Sequence, residues 1–378
     1  MDRRDLSKVL MASAAGAAIL SRPAQAQSCS GTAIADYPQT NWETLASVTP
    51  ACTRYVASPY LDIARYGGSP SATAAANTTA INNALAVIFK KGGGILQFSE
   101  EGDYQVNSTF TLPYRCTIQG TGQATRIVMN GANNLFVIPG NSGRVEIRDL
   151  WLLGTAGNSG SGVIIGDPSG NPGVILLRRV LATGFSRGFI LGGALWTRFE
   201  QCEASGNTIG WDFYAQAAGN LNHAITLQDC IGASNQSSGI GASYVPAPVV
   251  SLAIRGGSFE GNCISNPAGG TQVTFFSAQA LTVDGVYFEY DPQGPRPVAL
   301  DMTGVHGGTV ANCYFNGASY GVRDIAGAST SDLSVHNNVF STITSDCINL
   351  PQGSRNLVWS NGTGSIVVSG PGSGTLHP

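Results

Sequence analysis

From residue 145 onward, apolar and polar positions alternate over short runs, break, and alternate again, and the whole pattern returns every 22 to 30 residues. The copies read VEIRDLWLLG from Val145, ILLRRVLATG from Ile175, TRFEQCEASGN from Thr197, ITLQDCIGASN from Ile225, LAIRGGSFEGN from Leu252, LTVDGVYFEYD from Leu281, GTVANCYFNGA from Gly308 and LSVHNNVFSTI from Leu333. One column holds Ile147, Leu177, Phe199, Leu227, Ile254, Val283, Val310 and Val335, all suited to a pleated inward position. Three residues later stand Leu150, Val180, Cys202, Cys230, Gly257, Val286, Cys313 and Asn338, and two further on Phe259, Phe288, Phe315 and Phe340 align. Alternation by two on either side of a register break is the signature of two short strands joined by a sharp bend. A third strand-like piece follows, as in GVIIG from Gly162, GFILG from Gly188, GWDFY from Gly210, SGIGA from Ser238, PVALD from Pro297, GVRDI from Gly321 and DCINL from Asp346.

Three short strands per copy, stacked at roughly 4.8 Å, predict an all-β fold: a single-stranded, right-handed parallel β-helix in which like residues sit on like residues. No copy has the 10 to 12 residues of helical periodicity that an α-solenoid requires. Asn207, Asn235 and Asn262 share a turn column, where stacked amides satisfy backbone groups, a structural role. A solenoid end exposes its core and needs a lid. The run from Asn77, with Ala80, Ile81, Ala84, Leu85 and Ile88, predicts an amphipathic capping helix with Asn77 as its N-cap, ending at Lys90-Lys91-Gly92. The Gly, Ser and Pro-rich tail after Asn361 predicts one poor rung at most.

Ahead of the repeats, Arg3 and Arg4 precede the apolar stretch Val9 to Leu20, which ends in Ala24-Gln25-Ala26. This predicts a signal peptide over residues 1–26, similar to a twin-arginine export signal, then an N-terminal extension over 27–60 and the β-helix over 61–378. About 12 apolar residues do not cross a bilayer, so the expectation is an exported, periplasmic or secreted protein without membrane insertion. Cleavage after Ala26 removes four basic and two acidic residues from 20 and 23, leaving 16 and 21, a net charge of −5. Only two lysines then remain, Lys90 and Lys91, which argues against nucleic acid as the main partner. Of the eight cysteines, Cys29 and Cys52 are placed to pair; Cys202, Cys230 and Cys313 are expected as free thiols in a dry core. No C-x-x-C occurs, which disfavours zinc.

DIARYGG from Asp62, TAINNALA from Thr79, GGGILQFSEEGDYQV from Gly92 and LPYRCTIQGTG from Leu112 follow one another in order. Together they resemble the opening region of the pectate-lyase-like, polygalacturonase-related superfamily of right-handed parallel β-helices. The resemblance covers about residues 61 to 360 and implies a polysaccharide substrate. It lacks that family's D-G-x-x-D-D-T segment, which has no carboxylate counterpart between Ser69 and Thr78. The polygalacturonase Asp-Asp, Gly-His-Gly and Arg-x-Lys set and the pectate-lyase calcium cluster are also missing, and Ser345-Asp346-Cys347 is similar to Asp-Asp-Cys in isolation only.

The resemblance implies substrate along the outer face of the strand following the variable turn and in the turns beside it. With Val163, Phe189, Trp211, Ile240, Val298 and Val322 inward, the outward positions there are Ile164, Ile190, Asp212 with Tyr214, Gly241, Ala299 with Asp301, and Arg323. Asp212 and Asp301 stand three copies apart, about 14 Å by stacking, too far for a direct pair. Glu260 and Glu289 occupy the position after the phenylalanine column in successive copies, and Asp291 follows two residues on. Glycosidases work with two carboxyl groups, roughly 5 to 5.5 Å apart when retaining and 6.5 to 9.5 Å when inverting. Glu260, Glu289 and Asp291 are therefore the catalytic candidates, and Asp212, Tyr214, Tyr290, Asp301 and Arg323 the substrate-binding ones. Exposed Tyr287, Tyr290, Tyr214, Phe276 and Trp211 would form sugar-stacking platforms, with Pro292, Pro295 and Pro297 stiffening a wall. A glycoside hydrolase on this plan needs no cofactor. A uronate lyase, the alternative, would need calcium or Arg323 to neutralise the substrate carboxylate; a non-catalytic glycan-binding β-helix would need neither glutamate. His223, His306 and His336 are scattered and predict no triad.

Overall fold

A computed structural model describes residues 39–52 and 60–376, apart from 156, 158, 168–169, 215–220, 245–248, 276, 291–294, 325–329, 352–353, 360, 362–363 and 369–373. Within them the chain winds as the expected right-handed parallel β-helix, each named strand pairing in parallel with its counterparts one rung above and below. The inward column from Ile147 to Val335 is continuous in register through all eight copies, and all eight side chains are buried. Further strands precede the copies, with Leu61 above Leu96 and Leu96 above Ile118.

Each full rung has a long strand (such as Leu195–Glu200), a short strand (Glu203–Ser205) and a third strand (Ile209–Tyr214). The chain bends between them through residues held at positive φ. Ahead of the long strands' pleated part these are Arg115, Arg144, Val174, Trp196, Ala224, Ser251, Ala280, Gly307 and Asp332; between long and short strands they include Asp149, Arg179, Gln201, Asp229, Gly256 and Asn312. Those bends are the register breaks seen in the sequence. The third strand of the fifth copy, Thr271–Thr274, is one that the pattern did not reveal; Val273 sits inward between Ile240 and Leu300. Leu300, two residues after Val298, therefore fills the inward column beside Val322.

The asparagine column forms the expected ladder. Asn207, Asn235 and Asn262 are buried; Asn235 Oδ1 accepts from the Asn207 backbone N–H, Asn262 Oδ1 from that of Asn235, and their Nδ2 groups donate to the carbonyls of Ala182, Ala204 and Gly232. Asn338 and Asn361 repeat the device lower down, continuing the cysteine column. Phe288, Phe315 and Phe340 stack with centroids 4.8 and 4.9 Å apart. Cys116, Cys202, Cys230, Cys263, Cys313 and Cys347 are free and buried. Cys52 is disulfide-bonded, and Cys29, its expected partner, lies outside the described residues, as does the expected signal peptide.

At the N-terminal end, helix α1 (Asn41–Leu45) and helix α2 (Ala74–Lys91) close the solenoid. The lid helix starts earlier than expected: Thr73 is the N-cap, its hydroxyl accepting from the Ala76 N–H, while Asn77 is buried within the helix and accepts from the Ser69 N–H. Gly92 ends it at φ 76°, as expected. The fully buried pair Arg65–Glu43, at 2.6 Å, docks α1, with Tyr66 also donating to Glu43. The tail adds the strands Ile366–Val368 and Gly374–Leu376, the single weak rung expected.

Candidate active site

Inward packing of Phe259, Phe288 and Phe315 turns their neighbours outward on the short strands Ser258–Glu260, Tyr287–Glu289 and Tyr314–Asn316. One outward column runs Ser258, Tyr287, Tyr314; the next runs Glu260, Glu289, Asn316. Glu260 and Glu289 are thus direct partners on adjacent rungs, both half-buried. The Tyr287 hydroxyl donates to Glu289 Oε2 at 2.9 Å, and Asn316 Nδ2 approaches Glu289 Oε1 at 3.4 Å. The rings of Tyr287 and Tyr314 stack with centroids 5.4 Å apart and planes 17° from parallel, the outer one partly exposed. Burial, the hydrogen bond to Glu289 and the charges of Glu289 and Glu260 together hold the Tyr287 phenol well above the usual tyrosine range. Tyr287 therefore stays a donor. This face presents two carboxyl groups with unequal partners next to a stacked tyrosine pair. Tyr290, half-buried, lies directly beyond Glu289, its N–H donating to the Asn316 carbonyl. Asp291 and Phe276 lie outside the described residues.

The structure does not bring the other candidates to this face. Asp212 and Asp301 point outward on third strands as the alternation requires, in one register column with Thr274 and Arg323. Both are nevertheless fully buried. Arg187 Nε binds Asp212 Oδ2 at 2.5 Å; Thr303, through its N–H and hydroxyl, and Arg323 Nε at 3.4 Å occupy Asp301. Neither carboxylate offers an oxygen to a ligand, so the expected contacts are corrected to ion-paired structural residues, because unpaired burial of a charge is costly. Arg187 and Arg323 are themselves partly exposed, with Arg323 lying over Tyr320 at 5.4 Å. Arg187 escaped the sequence reading because it shares the parity of the inward Phe189. Tyr214 is half-buried on the same strand as Asp212. Trp211 is no platform: it is fully buried against Phe189, Phe199 and Phe259.

His306 lines an open depression of about 740 Å³ with Asp332 and Ser334. Its Nδ1 is 3.0 Å from Ser331 Oγ, and that hydroxyl donates to Asp332 Oδ2 at 3.0 Å. With its one proton given to the carboxylate, the hydroxyl accepts from the imidazole, the reverse of nucleophile activation. His336 stacks on Trp359. Among the described residues no group of three His, Cys, Asp or Glu side chains is placed to hold a metal ion, and no helix is long and apolar enough to cross a membrane.

No family profile matches the chain, and no curated protein matches it in sequence. Solved structures do share the fold. The A-module of mannuronan C-5 epimerase AlgE4 from Azotobacter vinelandii is 15% identical with a TM-score of 0.57, over 84% of this chain and 100% of that one. PfbA, a surface adhesin of Streptococcus pneumoniae, is 13% identical with a TM-score of 0.60, over 79% and 85%. The tailspike protein gp49 of Acinetobacter baumannii bacteriophage Fri1, a capsular polysaccharide depolymerase, is 13% identical with a TM-score of 0.58, over 81% and 59%.

Proposed function

We propose that this chain is an exported polysaccharide-active enzyme, a glycoside hydrolase using Glu260 and Glu289. The observation that carries the reading is the adjacent-rung carboxyl pair with Tyr287 donating to one member beside the Tyr287–Tyr314 stack. Glu289, with two donors on it, is suited to act as nucleophile or base; Glu260, with neither, is suited to protonate the leaving glycosidic oxygen. The tyrosine pair supplies a surface for a pyranose ring. A rung step of about 4.8 Å lies near the separation of retaining pairs, roughly 5 to 5.5 Å, which supports retention of configuration. That polysaccharide-acting proteins such as the epimerase and the depolymerase use the same scaffold adds support for the substrate class.

The test incubates the protein with plant, algal and bacterial polysaccharides while recording reducing ends and ultraviolet absorbance together. Hydrolysis releases reducing ends without absorbance; an absorbing unsaturated product would establish β-elimination instead. Glu260→Gln and Glu289→Gln should each abolish release. Full activity in both variants would refute the site.

A further inference from the structure

The bend that follows the short strands carries a residue at positive φ: Gly206, Ser234, Gly261 and Gly317 on four of the rungs, and Thr342, at 53°, directly after the short strand Val339–Ser341. Glycine suits that conformation, whereas a β-branched side chain is strained in it. What the costlier residue adds is a hydroxyl. Thr342 Oγ1 accepts from the Gly317 N–H at 3.0 Å and lies 2.6 Å from Asn316 Oδ1 and 2.8 Å from the Ser341 carbonyl oxygen. The backbone is also held at this point. Arg296, on the segment that joins Glu289 to the third strand Val298–Asp301, donates through Nη1 to the Thr342 carbonyl two rungs on.

Asn316 stands between this hydroxyl and the candidate carboxylates, with Glu289 as its partner on one neighbouring rung and Ser341 on the other. An amide side chain has one accepting end and one donating end. With Oδ1 on the Thr342 hydroxyl, Nδ2 is the end that lies 3.4 Å from Glu289 Oε1. The reverse orientation would set Oδ1 against a carboxylate oxygen, two acceptors face to face. The hydroxyl's single proton settles the matter when it goes to Asn316 Oδ1, the nearer acceptor, while the Gly317 N–H occupies a lone pair. A chain of donors thus runs from Thr342 through Asn316 to Glu289. Glu260 has no such chain among the described residues: its column neighbour away from Glu289 is Ala233, which has no side-chain donor.

We propose that Thr342 is a positioning residue for the candidate active site: its hydroxyl fixes the Asn316 amide with Nδ2 toward Glu289, and so marks Glu289 rather than Glu260 as the nucleophile or base. The kinetic consequences rest on the hydrolase reading, which this inference deepens; the donor chain itself does not. Thr342 acts from one rung beyond Asn316 and two beyond Glu289, through another side chain and without touching substrate. The strained φ is retained because the residue that would relieve it, glycine, has no hydroxyl to orient the amide.

Thr342→Val keeps the size and β-branching and removes only the hydroxyl, whereas Thr342→Ser keeps the hydroxyl. On the polymer that the wild type cleaves, Thr342→Val should lower kcat by about three- to tenfold with KM little changed, and Thr342→Ser should restore it. Asn316→Ala should lower kcat by at least as much, and adding Thr342→Val to it should cost nothing further, because the hydroxyl acts through the amide. A second readout needs no turnover: the full protein is treated with a water-soluble carbodiimide and an amine, and peptide mass spectrometry gives the labelling of Glu289 relative to Glu260. Hydrogen bonds to a carboxylate favour its ionised form, while carbodiimide activates the protonated one, so Thr342→Val and Asn316→Ala should each raise that ratio about twofold or more, and Thr342→Ser should leave it as in the wild type. Equal effects of the valine and serine variants, additive losses in the double variant, or an unchanged labelling ratio in Asn316→Ala would each overturn the inference. If Thr342→Val does not fold, Asn316→Ala still decides through the labelling ratio. Wild-type protein without turnover on any polymer would instead sink the hydrolase reading, with the labelling ratio still deciding the donor chain.

Discussion

Glu289 is the side chain whose neighbours most constrain what it does. Replacing Tyr287 by Phe removes its one close donor while leaving the ring stack with Tyr314 in place. A hydrogen bond to a charged group contributes about 1.5 to 3 kcal/mol, so Tyr287→Phe should lower kcat by roughly 10- to 100-fold with KM little changed, read from initial rates on the polymer that the wild type cleaves. A different residue-level expectation concerns the thiols. Burial pushes Cys116, Cys263 and Cys313 up to about 12 and Cys230 well above the usual thiol value. Since the thiolate is the reactive form, these thiols should ignore a disulfide reagent at neutral pH and titrate only when denaturant is added; rapid labelling of the native protein would contradict the packing described.

At the scale of elements, the stability of a rung comes from what lies directly above and below it. Phe315 sits between two rings at 4.8 and 4.9 Å, and Phe315→Ala should cost about 3 to 5 kcal/mol, measured by denaturant unfolding. The lid has its own pH dependence. Burial alone would raise the Glu43 carboxyl, but hydrogen bonds from Arg65 and Thr40 and the Arg65 charge outweigh it and hold the group below its ordinary value. A depressed folded value means that this contribution is complete above about pH 4.5, the unfolded range, and is lost as pH falls through the folded one. The melting temperature should therefore drop on acidification below pH 4.5, and Glu43→Gln should flatten that part of the profile. The strands themselves were readable because inward side chains pile up in columns, so one chemical type repeats at each rung. Thr271–Thr274 was missed for the same reason: its rung follows a longer turn, and the step between columns no longer matched. The early start of the lid helix was hidden because Asn77, a good capping residue, is used instead to hold the Ser69 backbone from inside the helix.

Across the whole molecule, the outward face was far less legible than the core. Nothing requires like residues to follow one another there, so alternation says which way a side chain leaves the backbone but not what covers it. Asp212 and Asp301 do leave outward, yet Arg187, Thr303 and Arg323 close over them. Glu260 and Glu289 were found because they share both a column and the phenylalanine stack beneath them. The exposed side chains of Val174 and Trp196 were not legible because both sit at the bend, where positive φ breaks the alternation.

The even stacking of rungs gives the surface a built-in ruler. A polymer laid along the axis meets equivalent positions at a constant step of about 4.8 Å, so affinity should depend on ligand length as well as on sugar identity. For oligomers of increasing size, binding should strengthen in increments while each added unit reaches a further rung, then level off once the ligand outruns the side chains that can touch it. The length at which the plateau begins would measure, in sugar units, how much of the solenoid the ligand occupies.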